Sequence, residues 1–438
     1  MKAFVKPQIP SPLKISGALI WISVALICMS WPFLRPSNDF DVFYIAWRTV
    51  LEGKGLHVYS LTPDRFLYAP GFAWFFAPLG IFTRSIALGL WSLAKFWVIV
   101  FCAREFAKQL TQSKEYFVLS GFGLLVVLRP LMIDFQYGQV NAFLFFFAAW
   151  ALRRLFFPQK RESANANILV WFFFGVFSVG KLITLPLLVI PFLLKNHLQK
   201  EQKEQKRNQS CAAAGIAGAF TVFMLPVLQV GVQGWWHLHL DWLRALQSRG
   251  FPLESHNQSI AAILQHWFSG VPIRVIVLYQ QLQLSTSRLL SENVLTVASY
   301  LSAFFWIASI LYLAWFFLPK LARAPEKNPR AIALSIALLI ALVMMPSHLV
   351  WKPYFISGLP LVWVLMSEKS TRIRIGLFAS LALLQFSGVD FIGPAWAGWL
   401  EAGGVFMAAH LLLIALGVYR LRTLLHEATA FDARVLSR

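Results

Sequence analysis

Acids are scarce in this chain: 19 Asp and Glu stand against 39 Lys and Arg in 438 residues, and charged residues of both signs make up only 13%. A water-soluble domain carries about a quarter charged residues, so there is too little polar surface here to cover a soluble globule. Cysteine is scarcer still. Cys28, Cys102 and Cys211 are the full complement, each in or beside an apolar run and none in a CxxC spacing, which argues against a disulfide framework and a zinc site. There is no Walker-type phosphate loop, no GxGxxG after a strand, no HExxH and no GxSxG. No stretch is long and polar enough to fold into a soluble nucleotide-binding domain, and the one low-complexity tract, KEQKEQKR at 200–207, reads as a solvated loop.

What is present is apolar: 58% hydrophobic residues, 40 Phe and 18 Trp, with a mean hydropathy of +0.63. The chain reads as a single all-α integral membrane domain spanning residues 1–438. About twelve apolar runs approach the length of a span: 15–34, 86–103, 116–131, 140–156, 168–180, 182–194, 211–230, 293–318, 331–345, 353–366, 373–388 and 400–419. The pair at 168–194 reads either as a hairpin or as one tilted helix. Strict alternation of twelve spans puts 26 of the 39 basic residues on one side, within Lys2–Lys14, Arg104–Lys114, Arg153–Arg161, Lys195–Arg207, Lys320–Arg330, Lys369–Arg374 and Arg420–Arg438. Because cytoplasmic loops collect Lys and Arg, both termini are expected in the cytoplasm. The net charge of +20 is then an orientation signal, and its spread over seven loops excludes a nucleic-acid face. Residues 15–34 are too long for a signal-peptide core and lack a following small-x-small site, so they read as an uncleaved first span.

Two outside segments are long, 35–85 and 231–292. In the first, Asn38 or Asp39 can cap a helix over about 40–52 that Gly53 and Gly55 close, amphipathic enough to lie along the membrane surface. Gly71–Phe82, bordered by Pro70 and Pro78, is too short to span and reads as interfacial or re-entrant. Asp39 and Asp41 stand out because acids are so few. Each has two compatible readings, a helix-start acid interacting with the dipole or a general base that takes a proton from an attacking hydroxyl.

Arg129, Lys181 and Lys352 fall near outside ends of spans, where a charge beside an apolar run is costly and marks a functional candidate; snorkelling, or pairing with an acid such as Asp134, is the structural alternative. His348 precedes Lys352 by four residues and on a helical turn would share its face. Gln139 and Asn141 open an apolar run and could bond sugar hydroxyls or cap the span end. His256, Asn257, Gln258 and Ser259 form a polar cluster in the second long loop. Trp235, Trp236 and Trp242 suit an interfacial belt.

The stretch DFDVFYIAWRTVLEGKGLHVY at 39–59 resembles the opening motif of glycosyltransferase family 87. Four later stretches are similar in order and position: YGQVNAFLFFF at 137–147, GVFSVGKLITLPLLVIPFLL at 175–194, HNQSIAAIL at 256–264 and PSHLVWKPYFISGLP at 346–360. The resemblance implies a C-type glycosyltransferase architecture of about twelve transmembrane helices and a polyprenyl-phosphate-linked sugar donor. It further implies inverting, metal-independent transfer with no cofactor, to a glycolipid or glycan of the cell envelope at the outer face of the cytoplasmic membrane. The family's catalytic acid falls on Asp39, and Asp41 occupies the motif's variable position. On that chemistry Lys181, Lys352, Arg129 and His348 are expected to meet the donor phosphate, and Gln139, Asn141, His256, Asn257 and Gln258 the sugar or acceptor. The rival classes are a transporter or flippase, which would set its polar groups near the bilayer midplane in repeated halves, and a non-catalytic scaffold.

The topology is checked by cysteine labelling from outside the cell. A probe cysteine at Thr62 should react and one at Gln202 should not; the reverse pattern overturns the orientation.

Overall fold

The computed structural model describes residues 11–36, 38–62, 66–110, 114–157, 164–195, 202–248, 254–271, 273–277, 280–284, 288–322 and 329–436. Lys2, Lys6, Lys160, Arg161, Lys200, Arg323, Lys327 and Arg438 of the one-sided basic set lie outside them. Apolar runs become helices because a backbone without water must bond within itself. The first half holds α1 (Ser11–Leu34), α2 (Asn38–Leu51), α3 (Pro70–Phe76), α4 (Arg84–Leu110), α5 (Lys114–Val126), α6 (Leu128–Gln136), α7 (Asn141–Phe156) and α8 (Ala164–Lys181). The second half holds α9 (Gln202–Met224), α10 (Val227–Ser248), α11 (Ile260–Phe268), α12 (Glu292–Leu311), α13 (Pro329–Leu342), α14 (Leu359–Met366), α15 (Thr371–Phe386), α16 (Val389–Ala402) and α17 (Val405–Leu436).

Among the described residues four helices are long and apolar enough to cross a bilayer: Lys14–Leu34, Arg84–Ala107, Glu292–Leu321 and Val405–Glu427. The number is six if two bent pairs count as spans, α9 with α10 at 79° and α15 with α16 at 89°. Every one of the twelve expected runs contains helix, but several are short or broken. Hydropathy registers apolar content and not continuity, and the chain turns at Val127, Pro226 and Gly388. The hairpin reading of 168–194 is the observed one: α8 stops at Lys181, Leu182 takes φ 37°, and a 3₁₀ turn at Leu185–Val189 restarts the chain.

Three expectations change. The second long loop is not purely helical, because Ile273–Val277 (β1) and Gln280–Leu284 (β2) pair antiparallel with Ile273 opposite Leu284. The alternation of Gln281–Leu284 carried that period-2 signal. α10 occupies the start of the same loop, and Trp235 and Trp242 within it donate to the Phe223 and Leu67 carbonyls at 2.8 and 3.0 Å; only Trp236 of the three is exposed. Lastly, α2 does not lie free on a surface. Its Phe43 and Trp47 are buried against Trp91 of α4, Tyr68, and Phe72 and Phe76 of α3, and Phe40 is buried over Gly138.

α7 and α13 form the centre, with nearly every residue of α7 and every one from Ala331 to Leu342 buried, as expected for helices apolar on all sides. α12 is the converse. Tyr300, Leu301, Phe304 and Phe305 all project outward, an apolar girdle suited to lipid. Small residues draw helices together elsewhere: an added Cβ at Gly175 of α8 would lie 1.9 Å from the Gly215 carbonyl oxygen of α9, and one at Gly71 of α3 would lie 1.5 Å from the Val222 carbonyl oxygen. The first loop is thereby fastened to the bundle.

Thr62 is only 7% exposed, so exposed Ser60 is the better outside labelling position. The packing itself predicts that Gly175→Val costs about 1–3 kcal/mol through enforced helix separation, read as a lower unfolding temperature in detergent. Gly89→Ala, where the nearest atom is 3.7 Å away, should leave that temperature unchanged; equal effects would contradict the packing.

Candidate functional site

The turn between α6 and α7 is the hub. Gly138 sits at φ +65° with Phe40 directly above it, where a Cβ would come within 2.6 Å of that side chain, and its carbonyl accepts from Trp91 Nε1 at 2.8 Å. The next residue, Gln139, is aimed by this turn at the first loop. Its Nε2 donates to Asp39 Oδ2, while its Oε1 accepts from Lys181 Nζ at 3.2 Å. Lys181 Nζ also donates to Asn141 Oδ1 at 2.9 Å and stands 4.1 Å from the centre of the Tyr354 ring, a cation–π distance. Asn141 Nδ2 donates to Asp134 Oδ1 at 3.0 Å, and Asp134 Oδ2 pairs with Lys95 Nζ at 2.8 Å with both side chains wholly buried. Lys95 completes the hub by donating to the Asp134 and Gln139 carbonyls at 2.7 and 3.1 Å. One continuous chain of contacts therefore runs Asp39, Gln139, Lys181, Asn141, Asp134, Lys95.

A second cluster forms where α16 meets the segment before α14. Lys352 pairs with Glu401, whose other oxygen receives His256 Nδ1 at 3.0 Å. Gln258 donates to the Glu401 backbone carbonyl. Asn257 Nδ2 donates to the His348 carbonyl at 3.0 Å, and its Oδ1 accepts from the Val350 and Ser259 amides at 3.1 Å. Phe406 lies under two cations, Arg129 at 5.6 Å and Lys352 at 5.7 Å. Arg129 Nη1 is buried with no hydrogen-bond partner among the described residues. The guanidinium fits because residue 388 is glycine, since a Cβ there would approach Nη1 to 2.4 Å. Two elements link the clusters: α6 carries both Arg129 and Asp134, and the 3₁₀ turn Lys352–Gly358 carries both Lys352 and Tyr354.

The structure thus gathers Asp39, Gln139, Asn141 and Lys181 in one group, and Lys352, Arg129, His256, Asn257 and Gln258 in another. Asp41 stands apart, half-exposed and ion-paired with Arg84 of α4. α2 begins at Asn38, so Asp39 and Asp41 are first-turn acids and not caps; position 37 lies outside the described residues. Asp134 partners Lys95 and not Arg129. Residues 346–351 are irregular, so His348 does not share a helical face with Lys352; it is exposed, with its ring edge-on to Tyr300 at 6.5 Å. Gln139 and Asn141, 4% and 0% exposed, spend both ends of each amide inside the chain of contacts. A cavity of about 550 Å³ lies beside the first loop, lined by Leu56, His237, Asp241 and Arg244, and holds none of the predicted cations.

Lys95, Arg84, Tyr354 and Glu401 were missed by sequence reasoning. Lys95 was hidden inside a span, although a lone lysine in an apolar run is itself the signal for a buried partner. Glu401 lies at the start of the 400–419 run, but the helix it closes, α16, occupies mainly the stretch between that run and 373–388, where Asp390 and Glu401 bound two tryptophans.

Removing one member of the Lys95–Asp134 pair leaves a buried charge. Lys95→Met should destabilise by about 3–5 kcal/mol, and Lys95→Met with Asp134→Leu should recover most of the loss, measured by thermal unfolding in detergent. Equal instability of the single and double variants would show that the pair is not what holds the hub.

Residues 66–346 match the family model of glycosyltransferase family 87. The matched stretch includes Arg129, Gln139, Asn141, Lys181 and His256–Gln258, and leaves Asp39, Asp41, His348, Lys352 and Glu401 outside it. No curated protein and no solved structure matches the chain.

Proposed function

The chain belongs to glycosyltransferase family 87 and is a membrane glycosyltransferase, and from that premise we propose that it moves a hexose or pentose from a polyprenyl-phosphate-linked donor to a hydroxyl acceptor, with Asp39 as general base. The observation that carries this reading is the joining of the Asp39 carboxylate and the Lys181 ammonium through one side chain, Gln139. A transferase of this type needs an anion to take up a proton and a cation to meet a phosphate, close enough to serve the two ends of one reacting bond.

In the proposed step the acceptor oxygen attacks the anomeric carbon and its proton passes to Asp39. The bond from that carbon to the phosphate oxygen breaks, and polyprenyl phosphate leaves with the electron pair and one additional negative charge. Attack from the face opposite the leaving group inverts the anomeric configuration. Lys181 is the cation assigned to the departing phosphate, since its ammonium is held by neutral oxygens and an aromatic face. Arg129, with an unsatisfied buried Nη1, is assigned to the same anion together with Lys352 and His348, although Glu401 already offsets the charge of Lys352. Asp39 is preferred to Asp41 because Arg84 occupies the Asp41 carboxylate. Gln139 and Asn141 are here reassigned from sugar contacts to the placement of Lys181; His256, Asn257 and Gln258 remain the proposed acceptor-side wall.

The proposal includes the twelve-crossing C-type architecture with both termini in the cytoplasm and the site at the outer face of the cytoplasmic membrane, acting on a cell-envelope glycolipid or glycan. Its support is the one-sided distribution of basic residues and the location of every assigned group at a loop or a helix end.

A positioned base contributes about 10²–10⁴ in rate. With polyprenyl-phosphate-linked hexoses and pentoses as donors and membrane lipid extract as acceptor, Asp39→Asn should lose turnover on that scale and keep its fold, because Asn preserves the side-chain shape and can still bond Gln139. Asp41→Asn should remain active. Native turnover in Asp39→Asn overturns the assignment, and an inactive Asp41→Asn moves the role to that residue.

A further inference from the structure

Lys181 lies one amide away from each of two carboxylates and yet pairs with neither. On one side Gln139 separates it from Asp39, and on the other Asn141 separates it from Asp134. An ammonium and a carboxylate this near in a partly buried site attract strongly, so their separation needs a physical cause. We infer that Gln139 and Asn141 are insulating amides: neutral spacers that hold the Lys181 ammonium and the Asp39 carboxylate in fixed relation while preventing them from neutralising each other. The inference deepens the proposed function and rests on its assignment of Asp39 and Lys181 to opposite ends of the reaction.

A primary amide suits this task because it carries donors at one end and an acceptor at the other. Nitrogen must face the carboxylate and oxygen the ammonium, so the neighbours fix the orientation of both side chains. Aspartate or glutamate at either position would pair with Lys181 outright, and an apolar side chain would let the charges close on one another. The spacers are also held rigidly. Lys95 grips the Gln139 carbonyl, Trp91 grips that of Gly138, and Asn141 is fully buried on Asp134. Tyr354 covers a further side of the ammonium with a face that cannot neutralise it.

Among the described residues, most other charges on elements packed around Asp39 have partners of their own. Asp41 pairs with Arg84, Arg48 and Lys54 with Glu52, and Lys95 with Asp134. His57 and Tyr59 lie on the short turns beyond α2, the Tyr59 hydroxyl donating to the Tyr68 carbonyl at 2.8 Å, and Arg35 stacks over Trp31. Among the described residues, Lys181 is the cation that Gln139 holds beside Asp39, and its approach would lower the Asp39 midpoint.

The test is a difference-infrared titration of the purified full-length protein, with the Asp39 carboxyl band assigned by subtraction of Asp39→Asn. In Gln139→Leu the ammonium closes on Asp39 and its midpoint should fall by about one pH unit or more. In Gln139→Glu, which keeps the native shape, the added negative charge should raise the midpoint. Gln139→Leu combined with Lys181→Met should restore the native midpoint. If Gln139→Leu does not fold, the upward displacement in Gln139→Glu decides alone. A midpoint unmoved by the Gln139 substitutions that fold overturns the inference, as does a displacement in Gln139→Leu that persists when Lys181 is removed. The readout needs no substrate, so this failure is distinct from that of the proposed function, which is decided by the turnover of Asp39→Asn.

Discussion

Everything in this site depends on keeping a lysine charged beside two acids without letting it pair. In a low-dielectric interior a lone charge is costly, and the usual remedy is a direct ion pair that removes both charges from further use. The chain from Asp39 to Lys95 resolves the conflict by division of labour. Lys95 and Asp134 form the fully buried pair that anchors the hub, and amides separate the remaining carboxylate and ammonium. A buried pair adds little net stability of its own. Its contribution here is geometric, because the same Lys95 nitrogen holds two backbone carbonyls of the turn that aims Gln139.

The remainder of the fold can be understood as support for that turn. α7 is buried along nearly its whole length, so the turn at its start has a rigid base. The aromatic cluster of Phe40, Phe43, Trp47, Phe72 and Trp91 presses α2 against the bundle, and the contact of Gly71 with the Val222 carbonyl fastens α3 to α9. A first loop that floated on the surface could not hold Asp39 within bonding distance of a side chain exactly a hundred positions further along the chain. α16 adds the second cluster, where Glu401 holds Lys352 and His256 together and leaves Arg129 over Phe406.

Composition made the membrane class legible at once, and the short motifs carried the family. Asp39, Lys181, Gln139 and Asn141 could be singled out because polar residues are conspicuous in a chain so poor in them. Their mutual contacts could not be read, since they join α2, the turn before α7, α7 itself and the end of α8, and depend on a left-handed glycine at 138. Lys95 and Asp134 were obscure for the opposite reason: each is one charge within an apolar run, and only the fold reveals that they face one another. Most of the helix bearing Glu401 fell between the runs 373–388 and 400–419, because the 89° bend at Gly388 breaks the continuity by which a span is recognised. The β1–β2 hairpin escaped because an expectation of helix throughout overrode a short alternating pattern.

The measurement that bears most directly on this account is an electron cryomicroscopy structure of the full chain in a lipid nanodisc with a non-hydrolysable polyprenyl-phosphate-linked sugar. The account predicts the phosphate within hydrogen-bond distance of Lys181 Nζ, with Gln139 still between that lysine and Asp39, and the Asp39 carboxylate open towards the acceptor side of the anomeric carbon. A phosphate bound away from Lys181, or a bound state in which Lys181 and Asp39 are directly paired, would contradict it.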